Sequence, residues 1–121
     1  MNSKKTIVLG ASTNPDRYAY KAVHRLKASG HEVIPVGIKK GKVADLEIQT
    51  ADKYHEGVDT ITLYIGPQNQ PPYYDYLINH KPKRVIFNPG TANPELEEKL
   101  RKEGIEVVDA CTLVMLSTNL Y

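Results

Sequence analysis

The sequence predicts an α/β fold, a three-layer α/β/α domain built on a parallel sheet of about five strands. Three observations predict it. Short apolar runs alternate with segments of helical period along the chain of 121 residues. The first run, the helix behind it and the next run fit within about 30 residues, the size of a βαβ unit, which is parallel and right-handed. Each run also ends in glycine or another small residue: Gly10-Ala11-Ser12, Val36-Gly37, Ile65-Gly66, Asn88-Pro89-Gly90 and Asp109-Ala110-Cys111. In a parallel sheet those ends are where a ligand binds, and small residues let it lie against the backbone.

The elements follow in order. Thr6 to Ala11 is an apolar run between lysines and a turn, as in a strand buried on both faces. Ala19, Ala22, Val23 and Leu26 then fall at i, i+3, i+4 and i+7, a helical stripe with Lys21, Arg25 and Lys27 turned outward. Asn14 or Asp16 is expected to cap this helix, Pro15 to sit in its first turn and Gly30 to stop it. His31 to Val36 predicts the second strand. Gly37 to Gly57 has no clear period and predicts a loop holding a short strand or helical turn. Thr60 to Ile65, rich in β-branched residues, predicts the third strand, ended by Gly66-Pro67. Pro71 and Pro72 open a helix carrying Tyr73, Tyr76, Leu77 and Ile78, which stops before Pro82. Arg84 to Phe87 predicts the fourth strand. Asn93 caps a helix with Pro94 in its first position, Leu96 and Leu100 inward, the charges from Glu97 to Glu103 in water and Gly104 at its end. Ile105 to Val108 predicts the last strand and Thr112 to Leu116 a short terminal helix. The pattern is that of a Rossmann-like domain, doubly wound and spanning residues 1–121.

Composition excludes several classes. Hydrophobic content of 40% and charged content of 25% are those of an ordinary globular protein. A formal charge of +2 with no basic stripe gives no sign of nucleic-acid binding. One cysteine, Cys111, permits neither an internal disulfide nor a cysteine-based metal cluster. No metal site is expected, because the four histidines form no ligand pair. No apolar run approaches the roughly 20 residues of a membrane span, and the start of the chain lacks a signal-peptide core. The cytoplasm is the expected compartment.

The first turn suggests what the sheet receives. Gly10-Ala11-Ser12 stands between a strand and a helix whose free N–H groups carry partial positive charge, an arrangement that suits a phosphate. A purely structural turn would look the same. The turn lacks the second and third glycines of a dinucleotide fingerprint, and no acidic residue follows the second strand before Asp45 to hold ribose hydroxyls, as an NAD-binding protein would have. Lys39, Lys40 and Lys42 stand there instead. They suit a phosphorylated ribose, as in NADP or coenzyme A, or form a solvated basic loop.

Taken across nearly the whole chain, the sequence resembles the small stand-alone CoA-binding domain proteins, relatives of the CoA-binding domain of the succinyl-CoA synthetase α-subunit. The resemblance is carried by Val8-Leu9-Gly10-Ala11-Ser12, Asn14-Pro15-Asp16-Arg17 with Tyr20, and Val33-Ile34-Pro35-Val36 with Lys39. It continues in Val58-Asp59-Thr60, Asn88-Pro89-Gly90, Asn93-Pro94-Glu95 and Val107-Val108-Asp109-Ala110-Cys111. Two departures are Gly37-Ile38, where the family often has Asn-Pro, and Tyr64-Ile65-Gly66-Pro67 at the third strand's end. The resemblance implies coenzyme A or an acyl-CoA as the ligand. Its diphosphate would sit at Gly10, Ala11 and Ser12 with Arg17 beside it. Val36, Lys39 and Lys40 would border the ribose and its 3′-phosphate, and Gly66, Pro67, Asn88 and Gly90 would line the rest of the channel.

Cys111 follows the last strand on the ligand side of the sheet. It reads either as a small buried hydrophobe or as a thiol that meets the thiol of coenzyme A in a mixed disulfide. No histidine is spaced to act as its base. A non-catalytic or regulatory binding module is therefore expected, the alternative being a small enzyme that acts on an acyl-CoA or NADP-like ligand or exchanges thiols through Cys111.

Overall fold

A computed structural model describes residues 3–121. Five strands, β1 (Thr6–Leu9), β2 (Val33–Val36), β5 (Thr60–Leu63), β6 (Arg84–Phe87) and β7 (Glu106–Asp109), form one sheet in the order β2-β1-β5-β6-β7. Every neighbouring pair is parallel. The sheet grows to one side of β1 and then crosses to the other, so the strand order reverses between β1 and β5.

Alternation along the strands sorts the core into two layers. Ile7, Leu9, Ile61, Leu63, Val85 and Phe87 point to one face and pack with Leu77 of α2 (Tyr74–His80) and with Leu96 and Leu100 of α3 (Pro94–Lys102). Val8 points to the opposite face. There it meets Ala19, Ala22, Val23 and Leu26 of α1 (Tyr18–Ala28), with Leu113 and Leu116 of α4 (Thr112–Ser117) alongside. The result is the α/β/α Rossmann-like sandwich expected. Among the described residues no helix is long and apolar enough to cross a membrane.

Two helix stops follow the sequence closely. Gly30, at φ +89°, sends its N–H to the Lys27 carbonyl while the His31 N–H reaches back to Leu26. Gly104, at φ +78°, repeats the pattern, with Ile105 reaching back to Leu100. Both are six-to-one turns in which a left-handed glycine satisfies the last carbonyls.

Two local expectations are corrected, the first and third below, and one is settled in favour of its strand alternative. First, α1 begins at Tyr18, and Arg17 is its cap without a side-chain bond. Asn14 instead turns the preceding loop: its Oδ1 accepts the Asp16 N–H at 2.9 Å, and Ser12 Oγ accepts the Asn14 N–H at 3.0 Å. Asn and Ser side chains compete for local backbone donors in this way, so the turn formed ahead of the helix and left Pro15 outside it. Second, the irregular segment contains a small hairpin, β3 (Lys42–Val43) against β4 (Leu46–Glu47). Its turn residues Ala44 and Asp45 both have positive φ, +53° and +64°, as a two-residue hairpin turn demands. Buried Val43 anchors it to α1, and Lys27 Nζ donates to the Ala44 carbonyl at 2.7 Å. Third, Glu97 is not in water. It is 7% exposed, and its Oε2 accepts the Asn93 N–H at 2.9 Å while Asn93 Oδ1 accepts from the Leu96 N–H. The two side chains thus cap α3 reciprocally.

Past the hairpin, the chain completes the outer edge of β2. The Gln49 N–H donates to the Pro35 carbonyl and the Gly37 N–H donates to the Gln49 carbonyl, each at 2.9 Å. Pro35 has no N–H to give a neighbour, which the edge position tolerates.

Candidate functional site

Two adjoining hollows open over the carboxyl ends of β1 and β5, where the strand order reverses. The first, about 400 Å³, is lined by Gly10 to Thr13, Arg17 to Ala19, Ile38, Lys39, Ile48, Tyr64, Gly66 and Pro89 to Thr91. The second, about 650 Å³, shares Gly10, Ala11, Arg17, Ile38, Tyr64 and Gly66, and extends past Ile65, Asn69, Pro72 and Tyr73. Together they make one bent cleft of the size that holds a small molecule.

Gly10 owes its identity to the chain, not to the ligand. Its φ is +100°, and a Cβ there would stand 3.0 Å from the Tyr64 carbonyl oxygen and 3.1 Å from Ile65 Cγ1. The backbone leaving β1 passes that close to the backbone leaving β5. The Gly10 and Ala11 N–H groups are also spoken for, since both donate to the Val36 carbonyl, at 2.8 and 2.9 Å. The donors free to meet an anion lie one step further along. Among the described residues the Ser12 and Thr13 N–H groups have no partner. The N–H groups of Tyr18 and Ala19, in the first turn of α1, precede the first intrahelical bond, which Lys21 makes to Arg17.

Two cations line the same hollow. Arg17 faces both hollows and Lys39 faces the first. Among the described residues neither side chain is engaged in an ion pair. The lining contains no Asp, Glu, His or Cys. Positive ends and unpaired donors with no opposing carboxylate make an anion site.

Tyr18 and Ile38 stand at its mouth, 67% and 83% exposed. Large apolar side chains left this open beside an anion site offer flat and aliphatic faces to the rest of a ligand. Sequence reasoning named neither as a site residue. The signal available was their position, directly after Arg17 and directly before Lys39. Tyr64 forms a wall between the hollows. Burial pushes its phenol up to about 12, against the opposing pull of the Thr112 and Thr62 hydroxyls, so it is a neutral group at physiological pH.

The structure brings Gly10, Ala11, Ser12, Arg17, Lys39, Gly66 and Gly90 to this cleft. It places five other expected residues elsewhere. Val36 is fully buried and contributes only its carbonyl, which holds the first turn shut. Lys40 is exposed and outside the lining. Pro67 opens the 3-10 turn Pro67–Asn69, outside the lining. Asn88 is 2% exposed and points into the protein. Its Nδ2 donates to Thr62 Oγ1 at 2.7 Å and to the Leu63 carbonyl at 2.9 Å, and its Oδ1 accepts the Thr112 N–H at 2.8 Å. It clasps β5 to the start of α4. Cys111 is the residue before α4, half-buried and outside the lining of both hollows. Pro89 and Gly90 reach the cleft because Asn88 to Thr91 form a turn closed by the Thr91 N–H on the Asn88 carbonyl at 3.0 Å, with proline second and a left-handed glycine, φ +90°, third.

Comparison with known proteins bears on the fold and the family. No curated protein sequence matches the chain. Among solved structures, one titled as an uncharacterized protein is 57% identical, with a TM-score of 0.97 over 100% of both chains. A protein from Thermus thermophilus, titled cell-free ID.343, is 26% identical with a TM-score of 0.86, over 98% of this chain and 91% of that one. A dinucleotide forming acetyl-coenzyme A synthetase 1 from Ca. Korarchaeum cryptofilum, solved with phosphate and ADP, shares the fold. It is 19% identical with a TM-score of 0.69, over 89% of this chain and 26% of that one. The family model described as CoA binding domain matches residues 4–117, which takes in every strand and helix that builds the cleft. The chain belongs to the CoA binding domain family.

Proposed function

We propose that the protein binds coenzyme A or an acyl-CoA as a small stand-alone module of the cytoplasm, non-catalytic or regulatory in role. The observation that carries this reading is the anion site at the reversal of strand order. The unpaired Ser12 and Thr13 N–H groups and the start of α1 face a hollow shared with Arg17 and Lys39. The diphosphate would lie on those N–H groups beside Arg17. Lys39 would take the 3′-phosphate, and Tyr18 and Ile38 would flank the adenine. The second hollow, walled by Ile65, Pro72 and Tyr73, would take the pantetheine arm. Family membership supports this choice of ligand. A lining without acid, histidine or cysteine supports binding over group transfer. The position of Cys111 outside that lining favours the binding reading over thiol exchange.

Thermal denaturation tests the reading. Coenzyme A at a hundredfold excess over its Kd adds about 2.7 kcal/mol to stability, a rise in Tm on the order of 10 °C. NAD should give none. Lys39→Ala is expected to erase any preference for coenzyme A over its 3′-dephospho form, while Cys111→Ser should leave the shift unchanged. Equal stabilisation by NADP, or none by coenzyme A, would refute the proposal, and a shift lost in Cys111→Ser would favour thiol exchange.

A further inference from the structure

Between the two hollows lies a side chain that lines neither. Gln70 joins the 3-10 turns Pro67–Asn69 and Pro71–Tyr73 and is 0% exposed. Its Nε2 donates to the Ile65 carbonyl at 2.8 Å and to the Thr91 carbonyl at 2.7 Å. Ile65 belongs to the wall of the second hollow and Thr91 to the wall of the first. One amide group therefore holds both walls, with both of its hydrogens used. Its Oε1 accepts from Asn93 Nδ2 at 2.8 Å, and the same Nδ2 donates to Tyr74 Oη at 2.9 Å. Gln70 is thereby fixed through the cap of α3 to the first residue of α2.

Among the described residues no backbone hydrogen bond joins the loop after β5 to the loop after β6 beyond the paired strands. The spacing of those loops therefore depends on side chains that bridge them. A buried glutamine is costly to keep unless each polar atom is satisfied, and an aliphatic residue of the same size would fill the space without tying anything. The groups that meet anions, the Ser12 and Thr13 N–H groups, Arg17 and Lys39, lie on the β1 and β2 side of the cleft and do not touch Gln70.

We propose that Gln70 is a positioning residue: it sets the gap between the loops after β5 and β6, and so the path of the non-nucleotide arm of the ligand, while leaving in place the N–H groups, Arg17 and Lys39 that would hold the phosphates. The inference rests on the coenzyme A reading above. A ligand confined to the anion site would ignore the gap. One that runs on through the cleft depends on it.

The test is calorimetric titration, well below the unfolding temperature, with coenzyme A and with adenosine 3′,5′-bisphosphate as separate probes. Gln70→Met and Gln70→Glu are each expected to weaken coenzyme A by about tenfold or more and to leave the bisphosphate within about twofold. Gln70→Glu, whose carboxylate would face two carbonyl oxygens, should regain coenzyme A affinity as the pH falls and the acid becomes a donor; Gln70→Met should not. Equal losses for both ligands, or no loss for coenzyme A, would overturn the proposal. Hydrogen exchange on the wild-type protein covers the case in which the variants do not fold. Coenzyme A should protect the amides of both loops together and more strongly than the bisphosphate does, and protection of one loop without the other would overturn the proposal as well. A wild-type protein that binds neither probe would defeat the coenzyme A reading itself, a result separable from any effect of the variants.

Discussion

Gly37→Ala is expected to lower the unfolding free energy by about 3 kcal/mol, the upper end of the usual cost of overpacking a closed site. A Cβ at this position would stand 2.5 Å from the Ala11 carbonyl oxygen and 3.2 Å from Ile48 Cγ2. The backbone contact with Ala11 cannot be relieved easily. Ala11 is held by its N–H on the Val36 carbonyl at 2.9 Å, and Gly37 is held by its own N–H on the Gln49 carbonyl at 2.9 Å. Relief would have to come from separating the end of β2 from the turn after β1, which would deform the cleft that both Ala11 and Gly37 line. The substitution should therefore also weaken ligand binding. Urea denaturation measures the first effect, and an unchanged midpoint would contradict the geometry. Here the chain brings two backbones together without a side chain between them.

Asn88→Ala should cost a similar amount, about 3 kcal/mol, with no direct effect on ligand contacts. Its carboxamide makes three bonds, to Thr62 Oγ1, the Leu63 carbonyl and the Thr112 N–H, and it is 2% exposed. Removing it leaves a buried N–H at the start of α4 and a buried carbonyl at the end of β5 unpaired, and opens a cavity between them. The expected signature is a fall in Tm on the order of 10 °C with ligand affinity nearly unchanged at temperatures where the variant is folded. A variant of normal stability that fails to bind would restore Asn88 to the ligand.

These two positions show what the sequence makes legible and what it does not. Periodic burial is legible because it repeats. Ala19, Ala22, Val23 and Leu26 declared the inner face of α1, and all four are buried. The stops at Gly30 and Gly104 are legible because only glycine takes those φ values cheaply. That the Gly10 to Ser12 turn has the form that suits a phosphate was readable, but not which N–H groups remain free. That depends on the Val36 carbonyl, brought in from the neighbouring strand, which engages the Gly10 and Ala11 donors and leaves those of Ser12 and Thr13.

The rest was hidden for the same reason. The hairpin at Lys42 to Glu47 turns on Ala44, a residue with no preference for positive φ, held there by packing and by Lys27. Glu97 lies in a run of charges that reads as a solvated face, yet it folds back on Asn93. Asn88 stands beside a proline and a glycine that do line the cleft, and only the direction of its side chain separates it from them. Gln70 gives no local sign at all, since its partners at positions 65, 91 and 93 become neighbours only when the sheet forms.

Amide chemical-shift mapping during a coenzyme A titration tests the central claim most directly. The largest shifts should fall on Ser12 and Thr13, whose N–H groups have no partner among the described residues, with Tyr18, Ala19, Ile38 and Lys39 following. Gly10 and Ala11, already bonded to Val36, should move less. Shifts centred on the hollow between Tyr54, Tyr76 and His80, or a titration that leaves Ser12 and Thr13 in place, would contradict the claim that this cleft is where the ligand binds.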